Sequence, residues 1–170
     1  VETSLDVKMQ KVSDASLKRA VAERGKEFDF SQGAIVTLDA SNGSILAMTG
    51  GVDFKKSQFN RASQAQRQPG STFKLFSYTA AIDRGISPST TFSCAPVSSV
   101  VGCHNGGSGD IDMYRGFALS ENVVAVRVAQ AAGLKNVIRT ARRFGIKAQL
   151  QETTNLGRGG QEVTMLEMAG

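Results

Sequence analysis

No apolar run in this 170-residue chain approaches the roughly 20 residues that cross a bilayer, and the N-terminus carries no signal-peptide pattern. Histidine occurs once, at His104, and cysteine twice, at Cys94 and Cys103. One imidazole and two thiols at this spacing lack a fourth ligand and match no zinc pattern, so no metal site is expected, and no cofactor motif is present. Basic residues are not interleaved with aromatics, which argues against a nucleic-acid partner. The net charge of +5 is modest and spread along the chain in short groups such as Lys55-Lys56 and Arg142-Arg143. These read as solvated faces with weak attraction for anionic polymers or lipid headgroups. No internal repeat is visible.

A chain of this length buries roughly 70% of its unfolded surface, enough for one core, and its apolar and charged fractions are those of a globular domain. Helical spacing predicts a first helix from Asp6 to Glu23, with Met9, Val12, Ala20 and Val21 on its apolar face and Gly25 as its stop. Residues 34–38 and 44–48 alternate like strands and are joined through Asp39 to Gly43, whose Asn42-Gly43 pair suits a turn needing positive φ. Residues 51–70 form a long polar approach. Further helices are expected over Thr72 to Arg84, closed by Gly85, and over Met113 to Leu119, Val123 to Ala132 and Leu134 to Phe144. A Gly/Ser-rich loop is expected from Ile86 to Gly109.

Within this frame Arg67-Gln68-Pro69-Gly70-Ser71-Thr72-Phe73-Lys74 places a serine at the start of a helix and a lysine one turn later. Unpaired N–H groups and the helix dipole at that end favour negative charge on an attacking oxygen, and Lys74 shares the face of Ser71. The pair fits a nucleophile with its own amine base. The plainer alternative makes Ser71 a helix cap and Lys74 an exposed helix charge. A second candidate, Ser120-Glu121-Asn122, precedes the helix expected at Val123. There a hydroxyl can relay a proton and an amide can orient a lysine or a carbonyl, or Ser120 or Asn122 can simply cap the helix.

Taken together, these segments resemble the transpeptidase domain of class A penicillin-binding proteins, whose motif set is Ser-x-x-Lys, a Ser-x-Asn triplet and Lys-Thr-Gly. Gly50-Gly51-Val52-Asp53-Phe54, Ser57-Gln58-Phe59-Asn60-Arg61-Ala62 and Gln64 to Ser71 are similar to the family's run before its nucleophile, in the same order. Leu5-Asp6 with Gln10, the segment Gly33 to Gly50, and Glu162-Val163-Thr164 with Leu166 to Ala169 also match family landmarks. The resemblance covers nearly the whole chain. Leu75 and Met165 stand where the family commonly has proline, and no Lys-Thr-Gly occurs before Gly170.

The resemblance implies an α+β fold, with helices packed on a mainly antiparallel sheet, of which residues 1–170 form the N-terminal part of one domain. It implies acyl transfer in which Ser71 attacks a peptidoglycan stem peptide, Lys74 is the base, and Ser120 and Asn122 complete the site. β-Lactams would acylate the same serine. A lysine acting as base near neutral pH must be biased against its charged form by burial or a second cation, and the Lys-Thr-Gly lysine is the expected cation. The chain alone is therefore expected to be poorly active, unless a second chain or segment supplies that motif. The parent is expected to carry a membrane helix and a glycosyltransferase domain, with this part outside the cytoplasmic membrane.

Two other readings stay open: a serine β-lactamase or penicillin sensor, and a non-catalytic cell-wall binding or assembly module. Cys94 and Cys103 are either a disulfide of an oxidising compartment or two buried thiols.

Overall fold

The computed structural model describes residues 2–104 and 109–170, which form two compact units, Val1–Arg67 with Val163–Gly170 and Gln68–Glu162. Both mix helices with small antiparallel sheets, the α+β class the sequence suggested.

In the first unit, helix α1 spans Val7–Arg24 and is capped by Asp6, whose carboxylate accepts the Lys8 and Met9 amides at 2.8 and 2.9 Å. Strands β1 (Ile35–Leu38) and β2 (Ile45–Thr49) pair antiparallel. The turn between them closes through the Gly43 amide on the Asp39 carbonyl, with Gly43 at φ 74°. A short helix, α6 (Met165–Ala169), carries a capping box in which Thr164 and Glu167 satisfy each other's amides. The sequence reading did not identify this helix.

The predicted inner face of α1 needs correction. Val12 and Met9 are exposed, while Ser13 and Leu17 are buried. The helix docks on β2 largely through polar groups: Gln10 Nε2 donates to the Met48 carbonyl, Gln10 Oε1 accepts the Met48 amide, and Ser13 and Asp14 both bond the Thr49 hydroxyl. Apolar periodicity is blind to a face whose neighbours are matched donors and acceptors. Gly25 is the C-cap of the helix, and the position admits only glycine, because a Cβ there would collide with the Val21 and Phe30 carbonyls.

The second unit is built around helix α4 (Asn122–Ala132), in which Val123, Val124, Ala125, Val126, Val128, Ala129 and Ala132 are all buried. Helix α2 (Lys74–Asp83) contributes Phe76, Tyr78, Ala80 and Ala81, and helix α5 (Leu134–Arg143) contributes Val137 and Ala141. The helical run predicted from Thr72 opens instead as a 3₁₀ turn over Gly70–Phe73, then becomes α2. The expected loop from Ile86 to Gly109 contains strand β3 (Thr91–Ser93), which pairs with β4 (Asp110–Asp112), just before helix α3 (Met113–Ala118). Three-residue strands are too short to show period-2 patterning. Part of that predicted loop, residues 105–108, lies outside the described residues. A second 3₁₀ segment, Thr154–Arg158, packs against α4, where a Cβ on Gly157 would meet Ala129 Cβ at 2.8 Å.

Candidate active site

All four residues singled out from the sequence lie in the second unit: Ser71 and Lys74 where the 3₁₀ turn runs into α2, Ser120 in the turn after α3, and Asn122 at the start of α4. Ser71 is exposed in the 3₁₀ turn that leads into α2. No side chain caps that turn. The turn is fixed in place from behind: the Gly70 amide donates to the Gly159 carbonyl at 3.2 Å, and Thr72 Oγ1 donates to the Pro69 carbonyl at 2.7 Å.

Lys74 is not the exposed helix charge of the plainer reading. It is 1% exposed, and its ammonium donates to the Ser120 carbonyl at 2.6 Å and to Ser120 Oγ at 3.0 Å. Burial pushes Lys74 below the ordinary lysine value of 10.5, and the charge of Glu121 opposes this. Lysine and serine, 46 positions apart in sequence, are thereby joined through two acceptors of one residue.

Ser120 holds that position through an unusual backbone. Its φ is 54°, in the left-handed region. The Ser120 amide bonds the Phe117 carbonyl and the Glu121 amide bonds the Gly116 carbonyl, the paired closure of a Schellman motif ending α3. Glycine ordinarily fills that left-handed site; a serine there costs on the order of 1–3 kcal/mol. The strain turns the carbonyl and the hydroxyl of one residue toward the same ammonium.

Glu121, whose side chain makes no cap bond to its helix, is the N-cap of α4, so neither Ser120 nor Asn122 caps it and the helix begins at Asn122, one residue before the predicted start. Asn122 is half-buried, and its side chain has no hydrogen-bond partner among the described residues. The same holds for Ser71 Oγ, and the hydrogen bond between Ser71 and Lys74 is a backbone one, the Lys74 amide donating to the Ser71 carbonyl. Lys74 and Ser120 are thus brought into contact, while Ser71 stands one turn before Lys74 with its hydroxyl uncommitted.

A family model described as the penicillin binding protein transpeptidase domain matches residues 33–168. The chain belongs to the penicillin-binding protein transpeptidase family. Penicillin-binding protein 1A of Neisseria lactamica is 39% identical over 150 residues, covering 81% of this chain and 19% of that protein. The Rickettsia prowazekii protein of the same name is 36% identical over 143 residues, covering 78% of this chain and 18% of the relative. This transpeptidase chain thus spans about a fifth of the length of these relatives. Among solved structures, penicillin-binding protein 1A from Haemophilus influenzae aligns at a TM-score of 0.70 and 31% identity, over 81% of this chain and 22% of that one. PonA1 of Mycobacterium tuberculosis aligns at 0.77 over 98% of this chain and 46% of that one, and at 22% identity it speaks for the fold alone.

Sequence reasoning missed two features of this candidate site, Glu121 and Tyr78, and left a third, the state of Cys94 and Cys103, open. Glu121 is 1% exposed, and its Oε2 accepts the backbone amide of His104 at 3.0 Å and meets the His104 Nδ1 at 3.1 Å. A glutamate between the two signature residues gave no warning of burial. Cys94 and Cys103 form a disulfide, settling that open alternative, and it holds His104 next in line. Tyr78, 5% exposed, has a hydroxyl without a hydrogen-bond partner, and burial first, then Glu121, push its phenol above the ordinary value. Among the described residues no group of His, Cys, Asp and Glu could hold a metal ion, and no helix is long and apolar enough to cross a membrane.

Proposed function

We propose that this chain is the nucleophile-bearing part of a peptidoglycan D,D-transpeptidase. Ser71 attacks the penultimate D-alanine carbonyl of a stem peptide, the terminal D-alanine leaves, and the acyl group stays on Ser71 Oγ until an amine of a neighbouring strand takes it. Lys74 removes the Ser71 proton, Ser120 relays it toward the leaving amine, and Asn122 orients the substrate. The observation that carries this reading is the buried Lys74 ammonium docked on Ser120, one turn after Ser71. A lysine has little reason to be desolvated there unless its basicity is put to use. The disulfide supports a location outside the cytoplasm, on the outer face of the membrane. β-Lactams acylate the same serine as substrate mimics. Partners of the longer protein, including its membrane anchor and a glycosyltransferase domain, belong to this proposal.

The test is intact-mass spectrometry after incubation with benzylpenicillin, on the longest natural protein that contains residues 1–170. One adduct of the drug's mass is expected, mapped to Ser71 and absent in Ser71→Ala. An adduct elsewhere, or one that survives Ser71→Ala, refutes the assignment. No Lys-Thr-Gly occurs within the 170 residues, so the isolated chain lacks one oxyanion donor of the family's site. It is expected to react about 10²- to 10³-fold more slowly.

A further inference from the structure

A buried carboxylate lies one residue beyond the acceptor that holds Lys74, and the proposed chemistry makes no use of it. Glu121 is almost wholly excluded from solvent. Its position at the N-terminus of α4 suits a negative charge, because the helix dipole is positive there. A carboxylate can only accept, so the contact with His104 requires a proton on Nδ1, and together with the His104 backbone amide this gives Glu121 two N–H donors on one oxygen. Two such bonds stabilise the ionised form against the cost of burial. His104 is placed there by covalent structure: it follows Cys103, whose amide donates to the Cys94 carbonyl and whose sulfur is bonded to Cys94.

We propose that Glu121 is a positioning residue for the base: a buried anion, held by His104 from the disulfide loop, that stands next to Ser120 as counter-charge to the Lys74 ammonium docked there. Without a counter-charge, a lysine this deeply buried would give up its proton more readily, leaving a neutral amine whose bonds to Ser120 are weaker. With Glu121 present the two bonds to Ser120 stay charge-assisted. The direction of the electrostatic effects agrees, since Glu121 favours the charged form of Lys74 and the neutral form of Tyr78. The titratable and charged groups facing Glu121 come from several elements: Lys74 and Tyr78 from α2, and His104 from the disulfide loop. Asp110 of β4 and Arg115 of α3 line, with Glu121 and the disulfide, a cavity of about 200 Å³.

This inference rests on Lys74 being the base of the proposed acyl transfer, but its test reads the charge on Lys74 without any turnover. The chain is labelled with ¹³C at lysine Cε and at glutamate Cδ and followed by NMR across alkaline pH. In the unsubstituted chain the Glu121 carboxyl carbon is expected to shift at the Lys74 midpoint, since each feels the other's charge. In Glu121→Gln the Lys74 midpoint is expected to fall by about one pH unit, a tenfold change in protonation equilibrium, with Glu121→Asp restoring most of the loss. A Lys74 midpoint unmoved in a folded Glu121→Gln chain overturns the proposal. If that variant does not fold, a flat Glu121 carboxyl trace through the Lys74 titration of the unsubstituted chain overturns it, and a matching trace upholds it. A normal titration coupling with no Ser71 adduct in the penicillin experiment would reject the transpeptidase reading and leave the electrostatic pairing standing.

Discussion

Replacing Gly159 by alanine separates two costs that are usually confounded. Gly159 closes the second 3₁₀ segment at φ 77°, and an added Cβ would run into the Gly70 carbonyl and lie 2.9 Å from Phe73 Cβ. Gly85 offers the matched control: its φ is 80°, it follows the cap of α2, and an added Cβ there meets nothing within 4 Å. Both substitutions carry the left-handed backbone cost of an L-residue, about 1–2 kcal/mol. Only Gly159→Ala also collides with backbone, and the Gly70 side of that collision is the turn bearing Ser71. Relieving that overlap would separate the two segments enough to break the Gly70 amide bond to the Gly159 carbonyl, adding about 1 kcal/mol for the lost bond and at least as much for the overlap. Gly159→Ala is therefore expected to destabilise by about 3–4 kcal/mol and Gly85→Ala by about 1–2. With a urea dependence of roughly 2 kcal/mol per molar, the two midpoints should fall by about 1.5–2 M and 0.5–1 M. Circular dichroism in urea measures both. Equal midpoints for the two variants would show that the contact behind the Ser71 turn is not the constraint described here.

Removing the disulfide with Cys94→Ser and Cys103→Ser frees a loop whose ends are 9 residues apart. The loop-entropy estimate gives a loss of about 2–3 kcal/mol, read as a lower urea midpoint, and a loss near zero would contradict it. Lys74 makes stability depend on pH in a definite sense. Burial lowers its proton affinity in the folded state while the unfolded lysine keeps the ordinary value of 10.5, so folding expels a proton between the two values and stability rises with pH there. The difference in unfolding free energy between the natural chain and Lys74→Met should therefore grow from neutral pH toward 10, by at most about 1.4 kcal/mol per unit. Tyr78, whose phenol is raised above 10.0, acts in the opposite sense above that pH, so the series stops there. A difference that shrinks over this range would contradict the burial of the Lys74 ammonium.

How much was legible varies element by element, for reasons that can be named. Helix α1 began where Asp6 said it would, since an aspartate capping two amides is a local event. The inward face of α1 was illegible, because Gln10, Ser13 and Asp14 bury by pairing with β2 and not by being apolar. Two Schellman motifs make the same contrast. At the end of α2 the left-handed residue is Gly85, and the stop was plain. At the end of α3 it is Ser120, so the residue most strained in the site looked from sequence like an ordinary cap.

By itself the chain of residues determined the family, the order of the helices, and the serine and lysine one turn apart, because helix periodicity and short motifs are properties of neighbours along the backbone. Tertiary structure alone decided that Lys74 is buried and docked on Ser120, that Cys94 and Cys103 are joined, and that Glu121 is buried with His104 on its oxygen. Those facts depend on desolvation and on charges meeting across 17 to 46 positions of sequence. No local pattern encodes the dielectric that surrounds a side chain once the chain has closed over it.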